Sequence, residues 1–331
     1  VAAPRKAGIY CSTIVRRVVS LPTRGRLIVA TDLQGNVGDF ERIAQVFEQT
    51  AATREGAVLV ITGDLVHGPE IDQEDWPDYL GSYYHGNSRR VLELAYELTL
   101  RHPGRVHYLL GNHEHAHVGG PVVAKFFPDE ARRLEELLGS EGTEWMRTWL
   151  CNWPFVAVAP AAHLVMLHAA PHARISRVED LEQLDLENAF DGAMDDGSAQ
   201  SILGALLWAR TTSTERGMAF LRALHPEARV AVYGHDVARQ GYAVDREPLL
   251  CVSTSFGCFD GDKLYLDWDL AEPAASALDV AARGAASATP PRDPRASRDV
   301  GANARRWPPS SREAPRSSPL GPRGRRRPRA R

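Results

Sequence analysis

The stretch Leu109-Leu110-Gly111-Asn112-His113-Glu114 constrains this chain more than any other. Two aliphatic residues close a buried strand, and the turn behind them presents an amide oxygen, an imidazole and a carboxylate side by side. Those groups serve metal ligation and proton transfer. One such turn is explained equally well by a polar strand end running into a helix, but four further apolar runs end the same way. Arg26-Leu27-Ile28-Val29-Ala30-Thr31 leads into Asp32-Leu33-Gln34-Gly35-Asn36, and Val58-Leu59-Val60-Ile61 leads into Thr62-Gly63-Asp64. Leu164-Val165-Met166-Leu167 ends in His168, and Val230-Ala231-Val232-Tyr233 ends in Gly234-His235-Asp236. Short, wholly apolar runs fit strands covered on both faces. Polar C-terminal strand ends are where α/β folds build active sites.

The intervening segments carry helical spacing. Phe40, Ile43, Ala44, Val46 and Phe47 fall on one helical face, and Arg89 to Arg101 repeats the pattern with Val91, Leu92, Leu94, Ala95 and Leu98. Glu130 to Leu138, Glu144 to Leu150 and Gly217 to Leu224 read as further helices. Val156-Ala157-Val158-Ala159 is a strand paired with the run at 164–167, and Leu249 to Thr254 and Lys263 to Leu270 add strands at the end. This order predicts an α/β fold, a two-sheet β-sandwich flanked by helices. Residues 1–25 read as a lead-in segment and 26–271 as the domain. Residues 272–331, rich in Ala, Pro, Ser and Arg, read as a disordered tail unable to bury a core. Gly68 to Asn87 reads as an ordered surface excursion, with Trp76, Tyr79, Tyr83 and Tyr84 packing it onto the domain.

Charge is distributed unevenly. From residue 301 onward there are ten arginines and one acid, Glu313; without them the formal net charge falls from −3 to −12. An acidic body argues against a nucleic-acid surface on the folded domain, leaving the arginine-rich tail as the one region suited to such a partner. No apolar run approaches bilayer length, and the first residues lack the apolar core of a secretory signal. Cys11, Cys151, Cys251 and Cys258 are scattered without a Cys-x-x-Cys pair, so reduced thiols and a cytoplasmic location are expected.

The strand ends together supply Asp32, Asp64, Asn112, His113, His168 and His235. Mixed oxygen and nitrogen donors without sulfur suit Mn, Fe, Zn or Mg. The ordered motifs Asp-x-Gln-Gly-Asn, Gly-Asp, Gly-Asn-His-Glu, Leu-His-Ala-Ala-Pro and Gly-His-Asp resemble those of the calcineurin-like metallophosphoesterases, phosphoprotein phosphatase branch. The likeness covers about residues 26–270, including Leu206-Leu207-Trp208 and Glu215-Arg216-Gly217. The resemblance implies a calcineurin-like fold and two divalent metal ions, Mn first among them, that activate a water. It implies Asp32 and Gln34 at the first ion, Asp64 bridging both, and Asn112, His168 and His235 at the second. It also implies His113 as the acid that protonates the leaving group and Arg216 as a grip on the phosphoryl oxygens. The expected substrate is a phosphorylated protein or a small phosphoester, with no membrane partner.

Three departures from the family pattern bear on activity. Gln34 stands where most members have a histidine, a neutral oxygen donor that favours Mn or Mg and is similar to bacterial dinucleoside tetraphosphatases. After Gly63-Asp64 the chain reads Leu65-Val66-His67-Gly68-Pro69, so the family's acid-orienting aspartate and one phosphate-gripping arginine are missing. Losing such a donor costs about 10²–10³ in rate; Arg89, Arg90 and Arg210 are the candidate replacements, and His67 reads as a surface-loop histidine. Lastly, Gly-His-Asp-Val lacks a second histidine, as in the phosphoprotein phosphatase pattern. The readings that follow are a serine/threonine phosphatase-like hydrolase, a nucleotide or dinucleoside polyphosphate hydrolase, and a degenerate member that binds a phospho-ligand without turnover. Tail deletion that abolishes partner binding would mark the tail as an interaction arm.

Overall fold

The apolar runs become strands whose two faces are both covered. A computed structural model describes residues 16–78, 80–186, 201–254 and 262–287. Among these, strands β1 (Val18–Ser20), β2 (Arg26–Ala30), β3 (Val58–Ile61), β4 (Val106–Tyr108), β5 (Val156–Ala159) and β6 (Leu164–Leu167) come first. They are followed by β7 (Val230–Tyr233), β8 (Tyr242–Ala243), β9 (Leu249–Val252), β10 (Leu264–Asp269) and β11 (Ala285–Ser287). They form a six-stranded sheet in the order β1-β5-β6-β7-β9-β8 and a five-stranded sheet in the order β11-β10-β2-β3-β4. The expected two-sheet α/β fold is the one observed.

Alternation along each strand separates two cores. Leu27, Val29, Val58 and Val60 of the five-stranded sheet meet Leu164, Met166, Val230 and Val232 of the six-stranded sheet in one cluster between the sheets. Their neighbours Ile28, Leu59, Ile61, Val165 and Ala231 face outward into a second cluster, under the helices. Each fully buried aliphatic side chain here contributes about 1.5–3 kcal/mol.

Helices α1 (Val37–Thr53) and α2 (Ser88–Arg101) turn Phe40, Ile43 and Phe47, and Val91, Leu92 and Leu98, into that outer core. Asn36 and Asn87 cap their first turns through side-chain oxygens. A four-residue helix α3 (Asn112–His115) follows β4. The pair of helices expected at 130–138 and 144–150 forms one interrupted element, α4 (Glu130–Leu150), broken at Gly139, whose φ of 70° and ψ of −179° leave the helical region. Behind it come α5 (Glu179–Glu182), α6 (Ile202–Trp208) and α7 (Thr214–Leu224).

Two boundaries move. The lead-in is not all unpaired, because Val18–Ser20 adds to the sheet edge parallel to β5. The folded region also runs past the expected limit at 271. Helix α8 (Ala277–Gly284) buries Ala277, Val280 and Ala281 in the inter-sheet core, and β11 pairs antiparallel with β10. An alanine-rich composition hides this segment, since its apolar residues are small. The arginine-rich stretch beyond it lies outside the described residues, as do Cys11, Cys258 and Tyr79. No helix among the described residues is long and apolar enough to cross a membrane.

Candidate metal centre

β2, β3 and β4 run parallel, as do β6 and β7, so their C-terminal ends open on one seam between the sheets. Asp32, Asp64 and Asn112 arrive from the first set, His168 and His235 from the second. Every one of these five is buried, with at most 8% of its surface exposed. The chain bends sharply to present them. Asp32 (φ 48°), Gln34 (φ 42°), Asp64 (φ 54°), His67 (φ 65°) and His235 (φ 64°) all sit in the left-handed region. Such a conformation costs a non-glycine residue about 1–3 kcal/mol and persists where the surroundings enforce it. Close approach leaves no room for side chains beside them: a methyl group on Gly234 would collide with the Asp32 carboxylate, and one on Gly111 with that of Asp64.

Glu114 supplies much of the enforcement. Its buried carboxylate accepts from the backbone N–H of Asp64 (2.8 Å), Leu65 (2.8 Å), Val66 (3.3 Å) and Gly111 (3.1 Å), tying the β3 turn to the β4 turn. Burial, with the Asp64 charge beside it, pushes its pKa up to about 8 despite these donors. The seam is tied across as well. The His235 N–H donates to both Asp32 oxygens at 3.1 and 3.0 Å, and Gly234 N–H donates to the His168 carbonyl at 3.0 Å.

The donor atoms converge in a way that calls for a cation. His168 Nδ1 donates to the Thr62 carbonyl at 2.8 Å, which in the neutral ring leaves a lone pair on Nε2. That lone pair faces the Asn112 Oδ1 at 2.8 Å and Asp64 Oδ1 at 3.5 Å, both acceptors, and His235 Nδ1 at 3.1 Å. Asn112 Oδ1 also lies 3.0 Å from His235 Nδ1. Lone pairs crowded together in a buried pocket are reconciled by a positive ion, and a backbone carbonyl that orients a ligating imidazole is the usual outer support. Asp64, His168 and His235 are placed to hold such an ion together. Burial raises the Asp64 carboxyl, but the neighbouring His168, His113 and His235 outweigh it and hold the group at about 2. Asp32 goes the other way: burial and the Asp64 charge push it well above the ordinary carboxylate range. A cation beside Asp32 would offset both causes.

Gln34 has a different partner from the one expected of a ligand. Its Oε1 accepts from the Lys125 ammonium at 2.6 Å, and Lys125 stands on the loop between α3 and α4. Arg216 is also displaced from its expected place. Its guanidinium lies on the His172 ring, and it is absent from the lining of the cavity over the centre. That cavity, of about 410 Å³, is lined by Gln34, Asp64, Asn112, His113, Lys125, Trp208, Arg210 and His235, with Val122, Val123, Ala124 and Val237 at its sides. Arg210 bonds the Asp236 carboxylate at 2.8 Å and the His235 carbonyl at 3.4 Å. Arg89 and Arg90 instead pair with Glu93 on an exposed helical face. Lys125 carried no motif in the sequence; its rarity, as one of three lysines, was the only signal.

His113 stands between two groups of side chains. Its Nε2 faces Asp64 Oδ2 at 3.7 Å, while its Nδ1 lies 3.0 Å from His67 Nδ1 and 3.7 Å from Glu130 Oε2. Burial holds its pKa down to about 4. His67 is no surface-loop residue: it is 3% exposed, drawn in because its N–H donates to Ser88 Oγ at 2.9 Å while Glu114 fixes the turn before it. His117 and His115 are buried too, His117 against His67 at 2.9 Å and His115 turned away to the Leu186 carbonyl at 3.0 Å. Trp76 and Tyr83 pack the 68–87 excursion onto itself, and Tyr84 donates to the Gln34 carbonyl at 3.1 Å.

A family model, calcineurin-like phosphoesterase, matches residues 25–239. Among solved structures, a protein serine/threonine phosphatase from Saccharomyces cerevisiae superposes with a TM-score of 0.50 at 15% identity, covering 76% of each chain. A cold-active protein-tyrosine phosphatase from a psychrophilic Shewanella species gives 0.45 at 16% identity, over 77% of this chain and 80% of its own. A metallophosphoesterase from Sphaerobacter thermophilus gives 0.38 at 11% identity, over 74% and 84%. No curated protein matches the chain.

Proposed function

The chain belongs to the calcineurin-like phosphoesterases, and on that premise we propose that it hydrolyses phosphomonoesters of serine or threonine in proteins with two divalent ions, manganese foremost. The observation that carries this reading is the convergence of Asp64, Asn112, His168 and His235 donor atoms beneath a cavity that also exposes His113, Lys125 and Arg210. The residues fit the ions. Asn112, His168 and His235 would hold one, Asp32 would hold the other, and Asp64 lies where it can serve both. Bound there, the ions would supply a water activated at neutral pH and neutralise charge on the phosphoryl group.

The side chains supply the rest. Lys125 and Arg210 both line the cavity, and their positive charge would draw and orient a phosphoryl group. His113, with Nε2 toward the centre, is placed to return a proton to the leaving oxygen. Val122, Val123, Val237 and Trp208 make the wall apolar and limit water around the reacting bond. In this reading Arg210 takes the phosphoryl contact that the family pattern gave to Arg216.

The test is hydrolysis of p-nitrophenyl phosphate and a phosphothreonine peptide by the full chain, with Mn, Mg, Co, Ni and Zn supplied in turn. Turnover that requires a divalent ion and falls about 10³-fold or more in Asp64→Asn supports the proposal. Release of product from nucleotides alone, with the peptide untouched, would replace the protein substrate with a nucleotide one. A folded chain without turnover on any substrate would leave a binding protein.

A further inference from the structure

Behind His113, on the side away from the centre, lies a second convergence of donor atoms that the hydrolytic reading does not use. His67 Nδ1, His113 Nδ1 and Glu130 Oε2 form a triangle with sides of 3.0, 3.7 and 3.7 Å. The point equidistant from all three lies about 2.0 Å from each, the bond length of zinc to imidazole nitrogen and carboxylate oxygen. We propose that His67, His113 and Glu130 form a third cation site, for a divalent ion of zinc type, distinct from the pair at the strand ends.

Four observations carry it. First, all three side chains are buried, at 3%, 5% and 2% exposure, and Glu130 Oε2 has no hydrogen-bond partner. A buried carboxylate oxygen without a donor is costly, and a cation at the triangle's centre would satisfy it.

Second, the hydrogen bonds beyond His67 prepare its nitrogen for ligation. Glu135 Oε1 accepts from Arg147 Nη2 at 2.8 Å and from His117 Nδ1 at 3.0 Å. The neutral tautomer that Glu135 selects leaves His117 Nε2 as an acceptor, 2.9 Å from His67 Nε2. His67 therefore carries its proton on Nε2 and turns a bare Nδ1 into the triangle. This is the outer-shell pattern of metal-binding histidines, a ring N–H supported by a chain that ends in a carboxylate.

Third, the other nitrogen of His113 lies 3.7 Å from the Asp64 carboxylate, too far for a hydrogen bond but near enough for that charge to favour a proton there and a bare Nδ1. Fourth, a small cavity of about 10 Å³ lies against His67 and Glu130, room for about one water. A water in it would lie beside two of the three side chains, and the mixed nitrogen and oxygen donor set suits zinc.

Occupancy has one consequence for the neighbouring centre. An ion on His113 Nδ1 fixes the ring's proton on Nε2, the nitrogen facing Asp64. The missing orienting aspartate would then be replaced by a metal, with His67 and Glu130 as its other anchors. The site stands whether or not the chain hydrolyses phosphoesters, and its test reads metal content alone.

The full-length chain is loaded with zinc, dialysed against metal-free buffer and measured by mass spectrometry, beside Asp64→Asn, Glu130→Gln and the double variant. The expected result is that Glu130→Gln loses one equivalent relative to the parent. Asp64→Asn should keep that equivalent while releasing ions of the strand-end centre, and the double variant should lose both classes. Glu130→Gln with the parent's full zinc content would overturn the site and leave His67 and His113 simply hydrogen-bonded. Should Glu130→Gln fail to fold, zinc-edge anomalous diffraction from parent crystals decides. A peak among His67, His113 and Glu130 supports the proposal, and peaks confined to the strand-end centre overturn it.

Discussion

The two sheets contribute to the centre in different chemical currencies. The five-stranded sheet brings oxygen: the carboxylates of Asp32 and Asp64 and the amide of Asn112, the two aspartates on left-handed backbone at strand ends. The six-stranded sheet brings nitrogen: His168, oriented by the Thr62 carbonyl of the other sheet, and His235, whose N–H bonds back to Asp32. Carboxylate charge therefore resides on one sheet and the imidazoles on the other, and each sheet holds the other's side chains in place. The difference teaches that the inter-sheet packing is part of the site. A shift between the sheets would separate Asp64 Oδ1 from His168 Nε2, now 3.5 Å apart.

The sharpest way to break this comparison is to remove one donor from each sheet. In the proposed two-ion centre Asp64→Asn would remove a charge shared by both positions, and its loss of about 10³-fold in kcat should persist at any metal concentration. His168→Ala would remove an imidazole donor from one of the proposed ions only. Its activity should fall by more than about 10²-fold at low metal and recover substantially as metal is raised, since the charge that anchors the ions remains. Metal titrations of both variants check this. Equal, unrescued losses would mean that the imidazole sheet does more than contribute affinity.

A smaller effect concerns Lys125, which places an ammonium on Gln34 beside the oxygen sheet. Lys125→Met should raise affinity for the first proposed ion by about tenfold, because a fixed positive charge near Asp32 is gone. It should also lower kcat by about 10–10²-fold, because in the proposed reaction the same charge would contact the phosphoryl group. Isothermal titration and steady-state kinetics on one preparation read both changes. A variant that binds metal no better would place Lys125 outside the electrostatics of the first ion.

Legibility followed the same division. The placement of the strand-end side chains could be read from sequence because an apolar run fixes where a strand ends, and the next residues must then lie at the mouth of the sheet. Asp32, Asp64, Asn112, His168 and His235 were placed at strand ends that way, and the structure brings these side chains together along one seam. Residues that reach the site from helices and long loops carry no such positional signal. Lys125 comes from the loop before α4, Glu130 from its first turn, and Arg210 from the loop after α6. His67 was misread for a related reason: only the Glu114 carboxylate and Ser88 turn its loop inward, and both partners are distant in sequence. Helix α8 escaped notice because alanine and glycine give little hydrophobic contrast, although they suit close packing on β10.

The smallest expected effect lies outside both sheets, on α4. Burial alone would raise the Glu135 carboxyl, but hydrogen bonds from His117 and Arg147 hold it down at about 2, below the ordinary 4.5. A group with a depressed folded pKa adds stability above its unfolded value and loses that stability as the pH falls through the folded one. Glu135→Gln should therefore lower stability at pH 7 by about 1 kcal/mol, the scale of a partly exposed pair, or roughly 2–4 °C in Tm. The gap from the parent should narrow steadily from about pH 4.5 toward pH 2, since protonation then makes Glu135 resemble the glutamine. Paired thermal melts across that range measure it, with titration of the other carboxyls cancelling in the difference. A gap that stays constant with pH would assign the loss to packing on α4, and the support of His117 and His67 would then rest on shape instead of charge.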